Sequence, residues 1–196
     1  MMSDEIEVLD NFLPISYFNK IKEKILNQSH FPWYYQNDLT MSGNQSEKLN
    51  EIGFSHLIYF NNEIFSNELY LILSGFYGLL LDITNTKQVI KSRADMTLFN
   101  PNKVMHRPHI DLFFPHITSI FYLTDSDAET VIYTKKIVDY KNFDPLNENH
   151  LKNLEIKTSI QPKENRVIIF NGSYVHTGYS PFNHKHRVLI NTNLIW

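Results

Sequence analysis

Apolar and polar residues follow two different rhythms along the chain, and the change falls near residue 91. Over EIEVLDNF the two kinds alternate, as in a half-buried strand. Pro14 and Ser16 then open a segment that places Phe18, Ile21 and Ile25 on one helical face. The stretch FPWYYQNDLTMSGNQSEKLN is aromatic and rich in turn residues, which predicts a loop with a short strand. Ser66 stands where the cap of a second helix belongs, and that helix is expected to run to about Leu81. Its apolar residues cover most of its circumference, so it is expected to pack against a sheet.

From Ser92 onward the rhythm is that of strands. RADMTLFN, ITSIFYLTD, ETVIYTKKI, NRVIIFNG and HRVLINTNLIW are short runs of β-branched and aromatic residues. The turn-forming stretches NPNK, DSDAE, PKEN, NGS and SPFNH separate them, and NHLKNLEIK reads as a loop or one helical turn. Strands at this spacing predict an antiparallel barrel or sandwich. The expected fold is mostly β with some helix (α+β): a double-stranded β-helix, or jelly roll. One domain spans 1–196, with 1–91 as strand and helical support and 92–196 as the jelly-roll core.

Composition narrows the chemistry. Hydrophobic residues make up 42% and charged residues 20%, ordinary for a globular protein. The net charge of −3 indicates no basic nucleic-acid surface. With no cysteine in the chain, disulfides, thiolate catalysis, Cys-ligated zinc and iron–sulfur clusters are excluded, and any metal must take His, Asp or Glu. The acidic opening MMSDEIEVLDNF lacks a signal-peptide pattern, and LYLILSGFYGLLL is too short to span a bilayer. A cytoplasmic location and no membrane partner are therefore expected. The sequence carries no signal of oligomeric state.

Polar residues inside the apolar strands supply the candidate chemistry. His109 and Asp111 in HRPHIDLFFPH are two apart, so on a strand both side chains share a face. A His-x-Asp triplet alone is weak, because nine histidines make chance matches common. His176 follows the apolar strand VIIF, and two imidazoles with one carboxylate match the facial triad of non-haem Fe(II) oxygenases. Such a set leaves positions open for a co-substrate and O2, and no fourth ligand is evident to close a structural zinc site. Arg187 lies eleven residues after His176 in another apolar strand, where a guanidinium is costly unless it meets an anion such as a carboxylate. Tyr122 follows the His-x-Asp segment by one strand and is placed to share that carboxylate through its hydroxyl.

The stretch 93–196 resembles the Fe(II)/2-oxoglutarate-dependent dioxygenases, in particular the prolyl-4-hydroxylase-like branch and small stand-alone members of bacterial viruses. The family pattern of His-x-Asp, a distal His and a later basic residue is met by His109, Asp111, His176 and Arg187. FYLTD is similar to a family strand that places Tyr122 at the distal carboxylate of 2-oxoglutarate, and LFNPNK is similar to a segment that puts Asn100 near the co-substrate. VLDNFLP followed by a helix looks like the usual opening of these enzymes. Paired glycines common in the family are replaced here by Ala128 and Glu129. The resemblance implies Fe(II) held by His109, Asp111 and His176, with 2-oxoglutarate and O2 as co-substrates. It implies hydroxylation of a prolyl or other protein side chain, or of a small molecule, with release of succinate and CO2.

Plainer readings stand beside these. Tyr122 also suits a core position and Asn100 a turn, while His106, His116, His184 and His186 are expected to lie outside the metal group. Trp33, Tyr34 and Tyr35 suit a lid or substrate platform, or packing against the barrel. Two other functions fit a jelly roll. One is a cupin-like metal enzyme that does not use 2-oxoglutarate, separable by testing for succinate. The other is a sugar- or peptide-binding domain without a catalytic metal, separable by metal analysis.

Overall fold

The computed structural model describes residues 4–37, 52–144 and 151–196. In chain order its elements are β1 (Glu7–Leu9), α1 (Ile15–Lys22), a π-type turn (Glu23–Asn27), β2 (Tyr34–Gln36), β3 (Gly53–Phe60), β4 (Glu63–Ile64), α2 (Asn67–Thr84) and β5 (Gln88–Leu98). Then follow β6 (Ile117–Tyr122), β7 (Thr130–Lys136), β8 (Ile156–Ile160), β9 (Arg166–Asn171), β10 (Tyr174–Gly178) and β11 (His186–Ile195). A large sheet runs β1-β9-β6-β11-β5-β3-β2, with β4 beside β3, and a small sheet runs β10-β7-β8. Their pairings are antiparallel, and the architecture is a jelly roll.

Strand alternation sorts the core into two layers. Phe121, Val167, Ile169, Val188 and Ile190 of the large sheet meet Leu69, Leu73, Phe76 and Leu80 of α2 and Phe18 and Ile21 of α1. Phe76 and Phe121 bring their rings to 4.9 Å. The alternate residues Ile120, Tyr122, Ile168, Phe170 and Leu189 face the small sheet through Ile132, Ile160 and Tyr174. Burying each such side chain stabilises the fold by roughly 1.5–3 kcal/mol. Because α1 and α2 cover one face of the large sheet, the polar residues of β5 and β11 are left to line the interior between the sheets.

Both expected helices form. Ser66 occupies the cap position of α2 without a side-chain cap bond, and the helix runs to Thr84, where Asn85 takes a left-handed conformation at φ 49°. Asparagine tolerates that conformation better than most residues. Four strands escape the sequence reading. β3 mixes Gly53, Ser55 and His56 with its apolar residues, and β4 has two residues. β8 begins inside NHLKNLEIK, at Ile156, and is mostly exposed, while β10 carries His176 directly after the NGS turn. The large sheet takes β1–β4 from the first 91 residues, so that part supplies sheet as well as helical support. Of the expected aromatic loop, Tyr34–Gln36 forms a strand, and positions 38–51 lie outside the described residues. No helix among the described residues is long and apolar enough to cross a membrane.

Candidate metal centre

His109 and His176 sit directly opposite each other on paired backbones. Each donates its N–H to the other's carbonyl at 2.9 Å, and Met105 bridges Tyr179 further along. This pairing brings the two imidazole rings to 4.6 Å between centroids. Asp111, two residues on, holds its carboxylate oxygens 3.9 Å from His109 Nε2 and 3.8 Å from His176 Nε2. The three ligand atoms lie within 4.8 Å of one another, and no other such group occurs among the described residues.

The surroundings set the protonation of each donor. His109 Nδ1 donates to the Arg107 carbonyl at 3.0 Å, and His176 Nδ1 to the Tyr174 carbonyl at 3.1 Å. A carbonyl only accepts, so each ring carries its Nδ1 proton there and turns Nε2 toward Asp111, and the neutral form of either ring has its lone pair on Nε2. Burial, with His176 close by, lowers the His109 pKa to about 4 and keeps the ring neutral. Burial raises the Asp111 pKa, but His176, His109 and Lys91 outweigh it and hold the group well below the usual carboxylate range. Thr118 donates to Asp111 Oδ2 at 3.0 Å and Asn193 at 2.9 Å, while Asn191 reaches it at 3.2 Å. Two imidazoles converging through Nε2 on one oriented carboxylate suit a divalent ion of the iron class.

The same cavity is lined by Arg187 and Thr130. Arg187 is 7% exposed and lies 5.6 Å over the Tyr122 ring. Its Nη2 donates to Thr130 Oγ1 at 2.6 Å, and the Tyr122 hydroxyl donates to the same oxygen at 2.6 Å. Tyr122 therefore stands behind Thr130, one residue removed from the cavity. Gly178 makes room for this arginine, since a Cβ there would stand 2.9 Å from Arg187 Nη1. A buried guanidinium with adjacent hydroxyls is a ready carboxylate site.

Asn100 does not join the group. Its Oδ1 accepts from Asn102 N at 3.0 Å, closing a turn, and its own N–H is bound to the Pro181 carbonyl. His106 lines the cavity, but its Nε2 pairs with Ser180 at 3.0 Å. His116 is fully buried, with Nδ1 donating to the Phe114 carbonyl, and its ring fills the space over Gly172 that a Cβ would need. His184 pairs with Asp127, and His186 is half-buried on β11. Trp33 packs beside Phe31 at 4.8 Å, while Tyr34 and Tyr35 are exposed. At the positions of the missing glycines, Ala128 is buried and Glu129 pairs with Lys103. The sequence reading missed Thr130, Asn191, Asn193 and the ion pair Arg93–Asp95, all drawn inward by strand alternation.

No family profile matches the chain, and no curated protein matches it in sequence. Solved structures do. A prolyl hydroxylase from Trichoplax adhaerens, in complex with a hypoxia inducible factor peptide, is 13% identical over 98% of this chain and 84% of its own, with a TM-score of 0.64. The non-haem α-ketoglutarate-dependent epimerase SnoN is 10% identical over 98% of this chain and 76% of its own, with a TM-score of 0.65. The viral collagen prolyl hydroxylase of Paramecium bursaria Chlorella virus-1 is 13% identical over 96% of this chain and 94% of its own, with a TM-score of 0.54. This chain shares the fold of these two prolyl hydroxylases and of the epimerase.

Proposed function

We propose that this protein is an Fe(II)- and 2-oxoglutarate-dependent oxygenase that hydroxylates a substrate with release of succinate and CO2. One observation carries the reading: a single cavity holds the His109–Asp111–His176 donor set together with the buried pair Arg187–Thr130. The shared fold supports it, and so does the donor chemistry. His109 and His176 would hold the metal through Nε2, and Asp111 would neutralise part of its charge. Iron so bound, with O2 and 2-oxoglutarate, supplies oxidising power that no side chain has. Arg187 and Thr130 would hold the far carboxylate of the co-substrate, and Tyr122 keeps the Thr130 hydroxyl turned. Ile120 and Leu189 give the cavity apolar wall and help exclude water.

The test is anaerobic titration of 2-oxoglutarate into iron-loaded protein, followed by charge-transfer absorbance, with succinate measured after O2 is admitted. Wild type is expected to bind and to form succinate. Arg187→Met is expected to bind 2-oxoglutarate roughly 10- to 100-fold more weakly, the scale of hydrogen bonds to charged groups, with iron affinity unchanged. Equal affinity in the two proteins would reject the co-substrate assignment and point to a metal enzyme of another kind.

A further inference from the structure

The two oxygens of Asp111 are held very differently. Oδ2 accepts from Asn193 Nδ2 at 2.9 Å, from Thr118 Oγ1 at 3.0 Å and from Asn191 Nδ2 at 3.2 Å. Among the described residues Oδ1 accepts from Asn191 alone, at a long 3.4 Å. Distance does not choose between them as metal ligands, since Oδ1 lies 3.9 Å from His109 Nε2 and Oδ2 lies 3.8 Å from His176 Nε2. The donors do choose. A carboxylate oxygen has about two lone-pair sites, so three donors leave Oδ2 nothing to offer a metal, whereas Oδ1 keeps a lone pair.

Strand register supplies these donors. Asn193 on β11 stands directly opposite Thr118 on β6, and Asn191 stands opposite Ile120. Alternation turns Asn191 and Asn193 to one face. Asn193 also donates to Thr118 Oγ1 at 3.2 Å, which ties the two together. All three side chains are buried, Thr118 and Asn193 completely. Ile120 and Leu189 occupy neighbouring inward positions, so apolar residues are accepted on this face. The amides have a cost. Among the described residues, the buried Oδ1 atoms of Asn191 and Asn193 have no hydrogen-bond partner. A buried acceptor left unpaired destabilises a fold, and apolar side chains at these positions would avoid that. What the amides contribute is a set of N–H donors converging on a single carboxylate oxygen.

We propose, resting on the oxygenase reading above, that Asn193, Asn191 and Thr118 confine Asp111 to ligation through Oδ1 alone and so keep one further position on the metal open. They are positioning residues that act through Asp111. An octahedral ion held by two imidazoles and one carboxylate oxygen has about three positions left, and by both oxygens about two. A chelating keto acid fills two of them. O2 needs the one that remains, and a second carboxylate oxygen would occupy it.

The probe is manganese(II) alone. Its bound waters are counted by deuterium modulation in pulsed electron paramagnetic resonance of the loaded protein in D2O. Wild type is expected to hold about three, and Asn193→Leu combined with Thr118→Val about two. Thr118→Ser keeps the hydroxyl and is expected to match wild type. Manganese affinity of the double variant is expected to fall roughly 10- to 100-fold, the scale for losing partners of a metal ligand. A merely structural role would lower the affinity and leave the water count unchanged. Circular dichroism reports folding. Should the double variant not fold, Thr118→Val alone, which is close to threonine in shape, is expected to give a count below wild type. If wild type holds about two waters, if a folded variant lacking the hydroxyl keeps about three, or if Thr118→Ser also loses one, the proposal fails. Succinate formation by wild type is measured separately. Its absence rejects the oxygenase reading, whereas its presence with an unchanged count in the folded variants rejects the positioning role alone.

Discussion

Thr130 concentrates the site's polar chemistry in one oxygen. That oxygen accepts from both Arg187 and Tyr122, so the hydroxyl proton is left to point elsewhere in the cavity. Thr130→Val keeps the shape and removes the oxygen. It is expected to weaken 2-oxoglutarate binding roughly tenfold and to cost about 1–3 kcal/mol of stability through the two donors left behind. Tyr122→Phe is expected to weaken binding less, because its hydroxyl acts through Thr130. Titration and urea unfolding of the two variants check both statements, and an effect of Tyr122→Phe on binding larger than that of Thr130→Val would reverse the order. The contrast also explains what could be read beforehand. His176 and Arg187 betray themselves as polar residues in apolar strands, and His109 and Asp111 as a His-x-Asp pair in the irregular segment ahead of β6. A threonine in ETVIY is ordinary strand composition, and only the pairing of β7 with β10 brings it to the cavity. Asn100 shows the converse. Its neighbourhood resembles a family motif, yet the backbone there spends the side chain on closing a turn.

At the scale of elements, a short edge strand of the large sheet is held by side chains. β1 has three residues and, among the described residues, pairs only with β9. Just beyond it, Asp10 accepts from Arg166 Nε at 2.6 Å and Nη2 at 3.1 Å, and from Lys163 Nζ at 3.0 Å. Asn165 adds two bonds to the backbone of Leu13, one accepted and one donated. The hydrogen bonds from Arg166 and Lys163 lower the Asp10 pKa to about 2. A carboxylate depressed in the folded state stabilises it at pH values above the unfolded pKa, and that contribution fades as pH falls through the folded value. Asp10→Asn is therefore expected to be less stable than wild type at pH 6, with the gap closing toward pH 2. The group is partly exposed, so the gap should be small and should shrink with salt. Urea unfolding across that pH range measures it, and a gap independent of pH would show that the charge is not the cause. The strands legible in sequence are runs of β-branched and aromatic residues such as ITSIFY and RVIIFN, buried here on both faces. β8 is mostly exposed, and β3 interrupts its apolar residues with Gly53, Ser55 and His56, so neither shows such a run.

For the whole molecule, the metal group depends on completion of the sheet. His109 and His176 are paired across 67 positions of chain, and β11 meets β5 across a separation of 100 at Ser92 and Thr192. Contacts between such distant segments form only after large loops have closed, and folds dominated by them are slow, on the order of milliseconds to seconds. The donor set thus has no local nucleus of its own: a chain still searching for its topology presents His109 and Asp111 as a lone pair of groups without their third. A divalent ion then has little to grip before the rate-limiting barrier and much to grip after it. Stopped-flow urea jumps with manganese present or chelated are expected to give coincident refolding arms. The unfolding arm should be slower with the metal, because interactions absent from the transition state act on escape from the native state. A refolding arm accelerated by manganese would place the histidine pair in the nucleus instead. On this account the ion is a latch on a finished barrel, and its biological effect on the protein is persistence: the loaded molecule outlives the empty one without being made any faster.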